Sequence, residues 1–167
     1  NDKGIMNYPE MIIYSINLSV FLDLMKAKKY DEIVDLLISR LEALKNAGAD
    51  FGAITANTPH FLFDRIQEKS PLPLISIVEA TCDYAVNRGF KKPGLFGTGF
   101  TMASDFYQNT FGKQGIEVVV PEEEDQKVIN EKIFSEIELG IFIDETRTWL
   151  VRHIGKLLEK KGIDSLI

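Results

Sequence analysis

Within fourteen positions, Ala47 to His60, the chain closes one helix, runs through a short apolar segment and breaks into a polar turn. The preceding helix, expected over Asp31–Ala47, carries Ile33, Leu36, Leu37, Leu41 and Leu44 at helical spacing, with Glu32 and Asp35 toward its positive end and Gly48 as its stop. Phe51 to Thr55 reads as a buried strand, and Asn57-Thr58-Pro59-His60 as a polar tip beyond its carboxyl end. Helix, strand and helix in such quick succession are the currency of a parallel α/β sheet. Ligands of such sheets bind beyond the carboxyl ends of strands, where backbone N–H groups are free to meet an anion. Asn57 and Thr58 have the amide and hydroxyl to hydrogen-bond a carboxylate there, while Pro59 presets the first helical turn. The same residue types also make an ordinary helix start.

The rest of the chain repeats this logic. Asn1–Tyr8 is polar and reads as a mobile loop, and Glu10–Ile16 as a strand built on Met11, Ile12 and Ile13, with Ser15, Asn17 and Ser19 at its end. Phe61–Lys69 reads as a short helix and Ser70-Pro71-Leu72-Pro73 as a turn, followed by a strand at Leu74–Ser76 and a helix over Ile77–Arg88 capped by Gly89. A strand ending at Gly97, a turn Thr98-Gly99-Phe100-Thr101 and a helix over Met102–Gly112 come next. Gly115–Val120 is a β-branched strand, Glu122–Asp125 an acidic helix start, and Ile129–Gly140 and Asp144–Lys161 two further helices before a strand that starts at Ile163. Such alternation predicts two doubly wound parallel-sheet α/β units facing a shared cleft, over residues 1–91 and 92–167.

Composition narrows the chemistry. A net charge of -6 argues against general nucleic-acid binding, which needs clustered Lys and Arg. One cysteine allows no internal disulfide, and two scattered histidines give no metal-ligand spacing. Cys82 falls inside a helix and reads as a small apolar side chain, and His153 as structural or exposed. No apolar run approaches the ~20 residues of a membrane span and no signal peptide is visible, so a soluble, cytoplasmic protein is expected.

The run from Ala47 to His60 closely resembles the aspartate/glutamate racemase family, whose pattern is Gly-Ala-Asp, a hydrophobic strand, then Cys-Asn-Thr-x-His. Thr98 and Thr101 match the family's Gly-Thr-x-x-Thr segment, and Lys127, just after the acidic run, matches a substrate-binding lysine. Ser15 and Asn17 align with pocket-lining positions, and are equally readable as solvated loop residues. The resemblance implies inversion of an amino-acid α-carbon without a cofactor, on a small acidic amino acid such as aspartate or glutamate, in a homodimer. In the family one cysteine removes the α-proton as a thiolate and a second returns a proton on the opposite face. Here Ala56 occupies the first cysteine's position, and neither a Gly-Gly-Met unit near the start nor a closing Gly-Cys-Thr-Glu is present. Relative to the family the α/β fold is therefore incomplete at both ends, which would leave a sheet edge open. Three readings follow: a racemase in inactive or impaired form, a noncatalytic acidic amino-acid-binding homologue, or a superfamily lyase or isomerase acting on a dicarboxylate without an amino group.

Overall fold

The computed structural model describes residues 9–167; the expected loop at Asn1–Tyr8 lies outside them. Helices α1 (Leu18–Lys26) and α2 (Tyr30–Asn46) lead to strand β1 (Gly52–Ala53), a 3-10 turn (Thr58–Leu62), α3 (Phe63–Lys69) and β2 (Leu74–Ile75). Then come α4 (Ile77–Arg88), β3 (Pro93–Gly94), α5 (Gly99–Ala103), α6 (Phe106–Gly112), α7 (Glu123–Ser135), a 3-10 turn (Ile137–Leu139), α8 (Asp144–Lys161) and β4 (Ser165–Leu166). The described strands pair in parallel, as an α/β fold requires. The chain gathers into two compact units, one made of residues up to Ala53 with Leu62–Ile75, the other of Ile54–Phe61 with Ser76–Ile167. This grouping assigns the polar tip and α4 to the second unit, whereas the expected division fell between residues 91 and 92.

In the first unit α2 packs against both α1 and α3. Ile33, Val34, Leu37 and Leu41 of α2, Phe21 of α1 and Ile66 of α3 are buried, so the apolar stripe of α2 is the spine of this unit. β1 and β2 align Gly52 with Leu74 and Ala53 with Ile75. A side chain on Gly52 would meet Leu74 Cδ2 at 2.9 Å and Leu41 Cδ2 at 3.2 Å, so glycine lets helix and strand approach closely.

In the second unit residues 91–96 form the central strand segment. Gly94 pairs with Leu166 on one side and bridges to Val119 on the other. The Leu95 N–H donates to Val119 O at 2.8 Å, and the Ile167 N–H to Gly94 O at 2.8 Å. Side chains alternate across this sheet. Leu95 joins Val78, Cys82, Ala85, Tyr107, Phe111 and Ile116 from the α4 and α6 side. Phe96 packs with Val119, Ile154, Leu157 and Ile163 on the α8 side. Helices thus cover both faces of this unit's sheet, and the strand leads straight to Thr98.

Several expectations are corrected. Residues 10–16 form no strand; Met11 is 76% and Ile13 83% exposed. A strand needs a neighbour for its ladder, and none of the described strands pairs with this segment. Leu18–Lys26 is a helix that strand reading passes over, although Leu18, Phe21, Leu22 and Met25 recur at helical spacing behind the Asn17 cap. The strand expected over Phe51–Thr55 shortens to Gly52–Ala53, and that over Gly115–Val120 to the bridge at Val119. The helix expected over Met102–Gly112 is broken at Ser104, which is extended (ψ 161°) and whose hydroxyl bonds back to Phe100 O at 2.6 Å. The helix expected over Ile129–Gly140 starts earlier, at Glu123, and gives way after Ser135 to a 3-10 turn that ends at Gly140 with φ 71°.

Candidate active site

Three threonine hydroxyls meet in the second unit. Thr58 opens the 3-10 turn that Pro59 starts, and Thr98 caps α5 by accepting the Thr101 N–H at 3.3 Å. Thr58 Oγ1 lies 3.3 Å from both Thr98 Oγ1 and Thr101 Oγ1, and the latter two are 3.0 Å apart. Thr101 is 1% exposed, and its methyl lies in ordinary contact distance, 3.4 Å, of where a Cβ on Gly97 would stand. Each hydroxyl supplies one rotatable donor and two lone pairs, so the trio can turn its protons inward on itself or outward onto an anion. Beside it Phe61 and Phe100 meet edge to face, ring centroids 4.8 Å apart.

The tip that carries Thr58 is held by two buried side chains. His60, 4% exposed, places Nδ1 2.9 Å from Ala56 O and accepts the Ile77 N–H on Nε2 at 3.2 Å. Because Nε2 accepts, the ring proton sits on Nδ1 and donates to the Ala56 carbonyl. Burial lowers the imidazole below its ordinary value and outweighs the backbone bonds that favour the charged form. Asn57 accepts the Tyr107 hydroxyl on Oδ1 at 2.8 Å. Burial pushes that phenol up to about 12, so it remains a donor. On the opposite flank the Gly99 N–H donates to Asn130 Oδ1 at 2.7 Å, tying α7 to the start of α5.

The structure therefore brings together Thr58, Thr98 and Thr101, with Asn57 adjoining Thr58 in the chain. Ala56 contributes its carbonyl to His60 and has an exposed methyl side chain. Lys127 lies one turn before Asn130 on α7, exposed, with Nζ 2.8 Å from Glu123 Oε1; that hydrogen bond and charge raise the lysine and lower the carboxyl. Ser15 and Asn17 belong to the first unit. Ser15 is exposed, and Asn17 Oδ1 caps α1 by accepting the Ser19 N–H at 3.0 Å and hydroxyl at 2.9 Å. Sequence reading passed over Tyr107 and Asn130, and named His60 without a role. A signal existed for His60 alone, as the last residue of the tip motif.

The model of the Asp/Glu/hydantoin racemases matches residues 8–167. The chain belongs to this family. It is 32% identical over 114 residues to the broad specificity amino-acid racemase RacX of Bacillus subtilis, a match covering 68% of the chain and 49% of RacX. The chain thus spans about half the length of that curated relative. Its fold is similar to that of an aspartate racemase homologue from Pyrococcus horikoshii OT3, with a TM-score of 0.82 and 38% identity over 99% of the chain and 71% of the homologue. A Yersinia pestis protein provisionally named an Asp/Glu racemase gives a TM-score of 0.85 and 32% identity over 98% of the chain and 71% of its own.

Proposed function

We propose that Asn57, Thr58, Thr98 and Thr101 hold the carboxylate of a small acidic amino acid such as aspartate or glutamate. The protein would then serve cofactor-independent inversion of the α-carbon, as a cytoplasmic homodimer. The observation that carries this reading is the meeting of three hydroxyls from segments 40 and 43 residues apart. No apolar packing demands three polar side chains at one point, one of them fully buried, whereas a carboxylate uses every proton they can turn outward. Lys127 is the cation assigned to the ligand. Its bond to Glu123 is a solvated i,i+4 pair that a ligand carboxylate can displace at small cost. Ser15 and Asn17 are proposed as pocket-lining residues on the family resemblance alone; the oxygen of Asn17 caps α1.

Inversion further requires a base on one face of the α-carbon and an acid on the other. At the tip Ala56 offers a methyl group, which exchanges no proton. This favours a second reading, in which the chain binds its amino acid and does not turn it over. Calorimetric titration with L- and D-aspartate, glutamate and a dicarboxylate lacking the amino group, together with α-proton exchange in D2O followed by NMR, tests both. The expected outcome is saturable binding of the amino acids without exchange, and exchange gained in Ala56→Cys. Absence of binding would refute the site, and exchange in the unaltered protein would refute the inactive reading. A stronger response to the dicarboxylate would move the assignment to a lyase or isomerase.

A further inference from the structure

We propose that Tyr107 is a positioning residue that locks the Asn57 amide with its two N–H donors toward the ligand, which biases the site to carboxylates over carboxamides. The inference rests on the proposed function and names what sets its selectivity. Tyr107 is 1% exposed and packed among the aromatic rings of Phe106 and Phe111, with centroids at 5.2 and 5.8 Å, inside the core that also holds Val78, Cys82 and Leu95. Its ring is a fixed post. Its hydroxyl proton needs an acceptor at that depth, and Asn57 Oδ1 supplies one at 2.8 Å, the ordinary length of an O–H···O bond.

Rotating the amide by half a turn would let the phenol oxygen accept from the Asn57 nitrogen but leave its buried proton with no acceptor, since among the described residues Asn57 Oδ1 is the one partner of that hydroxyl. The oxygen of Asn57 is thereby committed to Tyr107. Asn57 itself is only partly buried, and among the described residues its nitrogen makes no hydrogen bond. What the side chain offers outward is therefore a pair of donors. Both oxygens of a carboxylate accept such donors in charge-assisted bonds, whereas the –NH2 of a carboxamide finds no acceptor in Asn57.

Tyr107→Phe removes the hydroxyl and keeps the ring. In the ligand-free protein the side-chain NH2 correlation of Asn57, assigned by its absence in Asn57→Ala, should shift and broaden in the 15N spectrum as the amide begins to flip. Aspartate affinity should fall about 3- to 10-fold, the equivalent of one ordinary hydrogen bond. Affinity for the monoamide, asparagine or isoasparagine, whose carboxamide falls at Asn57 should fall less, so the preference for aspartate over that ligand narrows. An unmoved NH2 correlation overturns the proposal, as does an equal loss for all three ligands, which would mean general loosening. Should Tyr107→Phe not fold, Asn57→Asp decides. It keeps an acceptor for the phenol but turns an anionic oxygen outward, and must weaken aspartate binding more than tenfold; unchanged affinity overturns the proposal. If the unaltered protein binds no acidic amino acid, the proposed function fails, while the NH2 correlation still decides whether Tyr107 sets the amide.

Discussion

Replacing Thr101 with valine separates a binding role for the threonine trio from a structural one. The substitution deletes one hydroxyl at a site that is 1% exposed and nearly keeps the shape. Two contacts are lost, at 3.3 Å to Thr58 Oγ1 and 3.0 Å to Thr98 Oγ1. Both exceed the roughly 2.7–2.8 Å typical of O–H···O bonds, so each stands at the weak end of the usual range, about 0.5–1 kcal/mol. Burying a methyl in place of the hydroxyl returns about 0.8 kcal/mol. The net destabilisation is then about 1 kcal/mol or less, a fall in melting temperature of at most about 4 °C for a chain of this size. A hydroxyl donating to a ligand carboxylate contributes about 1.5–3 kcal/mol, so aspartate affinity should drop roughly 10- to 100-fold. Differential scanning calorimetry and isothermal titration on the same samples measure the two quantities. Unchanged affinity beside a large loss of melting temperature would refute the assignment and leave the trio as a packing device.

Other regions give sharp expectations. His60 is held neutral, its folded pKa below the ordinary 6.5 of the unfolded chain; its contribution to stability is therefore complete above that value and lost as pH falls below it toward the folded pKa. Urea midpoints at pH 7.5 and 5.5 should show this loss, and His60→Gln should lessen it; an equal pH dependence in both proteins would contradict the buried neutral ring. Gly94→Ala places a Cβ 2.9 Å from Ile163 Cδ1 and 3.4 Å from Leu166 Cδ1 between paired strands. Both neighbours are side-chain ends that can turn aside, so the cost in urea unfolding should stay near the low end of overpacking, about 1 kcal/mol; a loss well beyond that would show that the buried Ile163 side chain cannot yield. Cys82 is buried and burial raises its thiol, so a disulfide-exchange reagent should leave it unmodified in the native state, and Cys82→Ala should bind aspartate as well as the parent.

Legibility in the sequence followed the locality of the forces. Helix α4 runs over Ile77–Arg88 as expected, because Ser76 caps one end through the Glu79 N–H and Gly89 the other with φ 77°. Helix α8 likewise runs over Asp144–Lys161 and ends at Gly162, with φ 65°. Such ends are written in one or two residues. Strands are not, since a parallel ladder depends on a neighbour distant in the chain: residues 10–16 have a strand's composition and no described strand beside them. The break at Ser104 was hidden for a different reason, a hydroxyl returning to the preceding turn inside an otherwise continuous pattern.

At the site, the tip and the Gly-Thr-x-x-Thr turn were legible as polar residues beyond strand ends. Tyr107 was not, because an aromatic residue on an apolar helix face reads as core and is core, and only the fold shows its hydroxyl aimed at Asn57. Asn130 was equally silent, as a polar residue within α7 whose capping of Gly99 depends on how two helices pack. Lys127 was legible as a cation near the acidic run. Its charge is shared with Glu123, four residues away on the same helix.

The most direct test of the account is a 15N NMR titration of the protein with aspartate. The backbone amides of Thr58, Thr98, Gly99 and Thr101 are expected to shift together along one saturable curve that glutamate competes away. Shifts confined to other residues, or amides at the trio that stay still while aspartate binds, would contradict the assignment of this cluster as the ligand site.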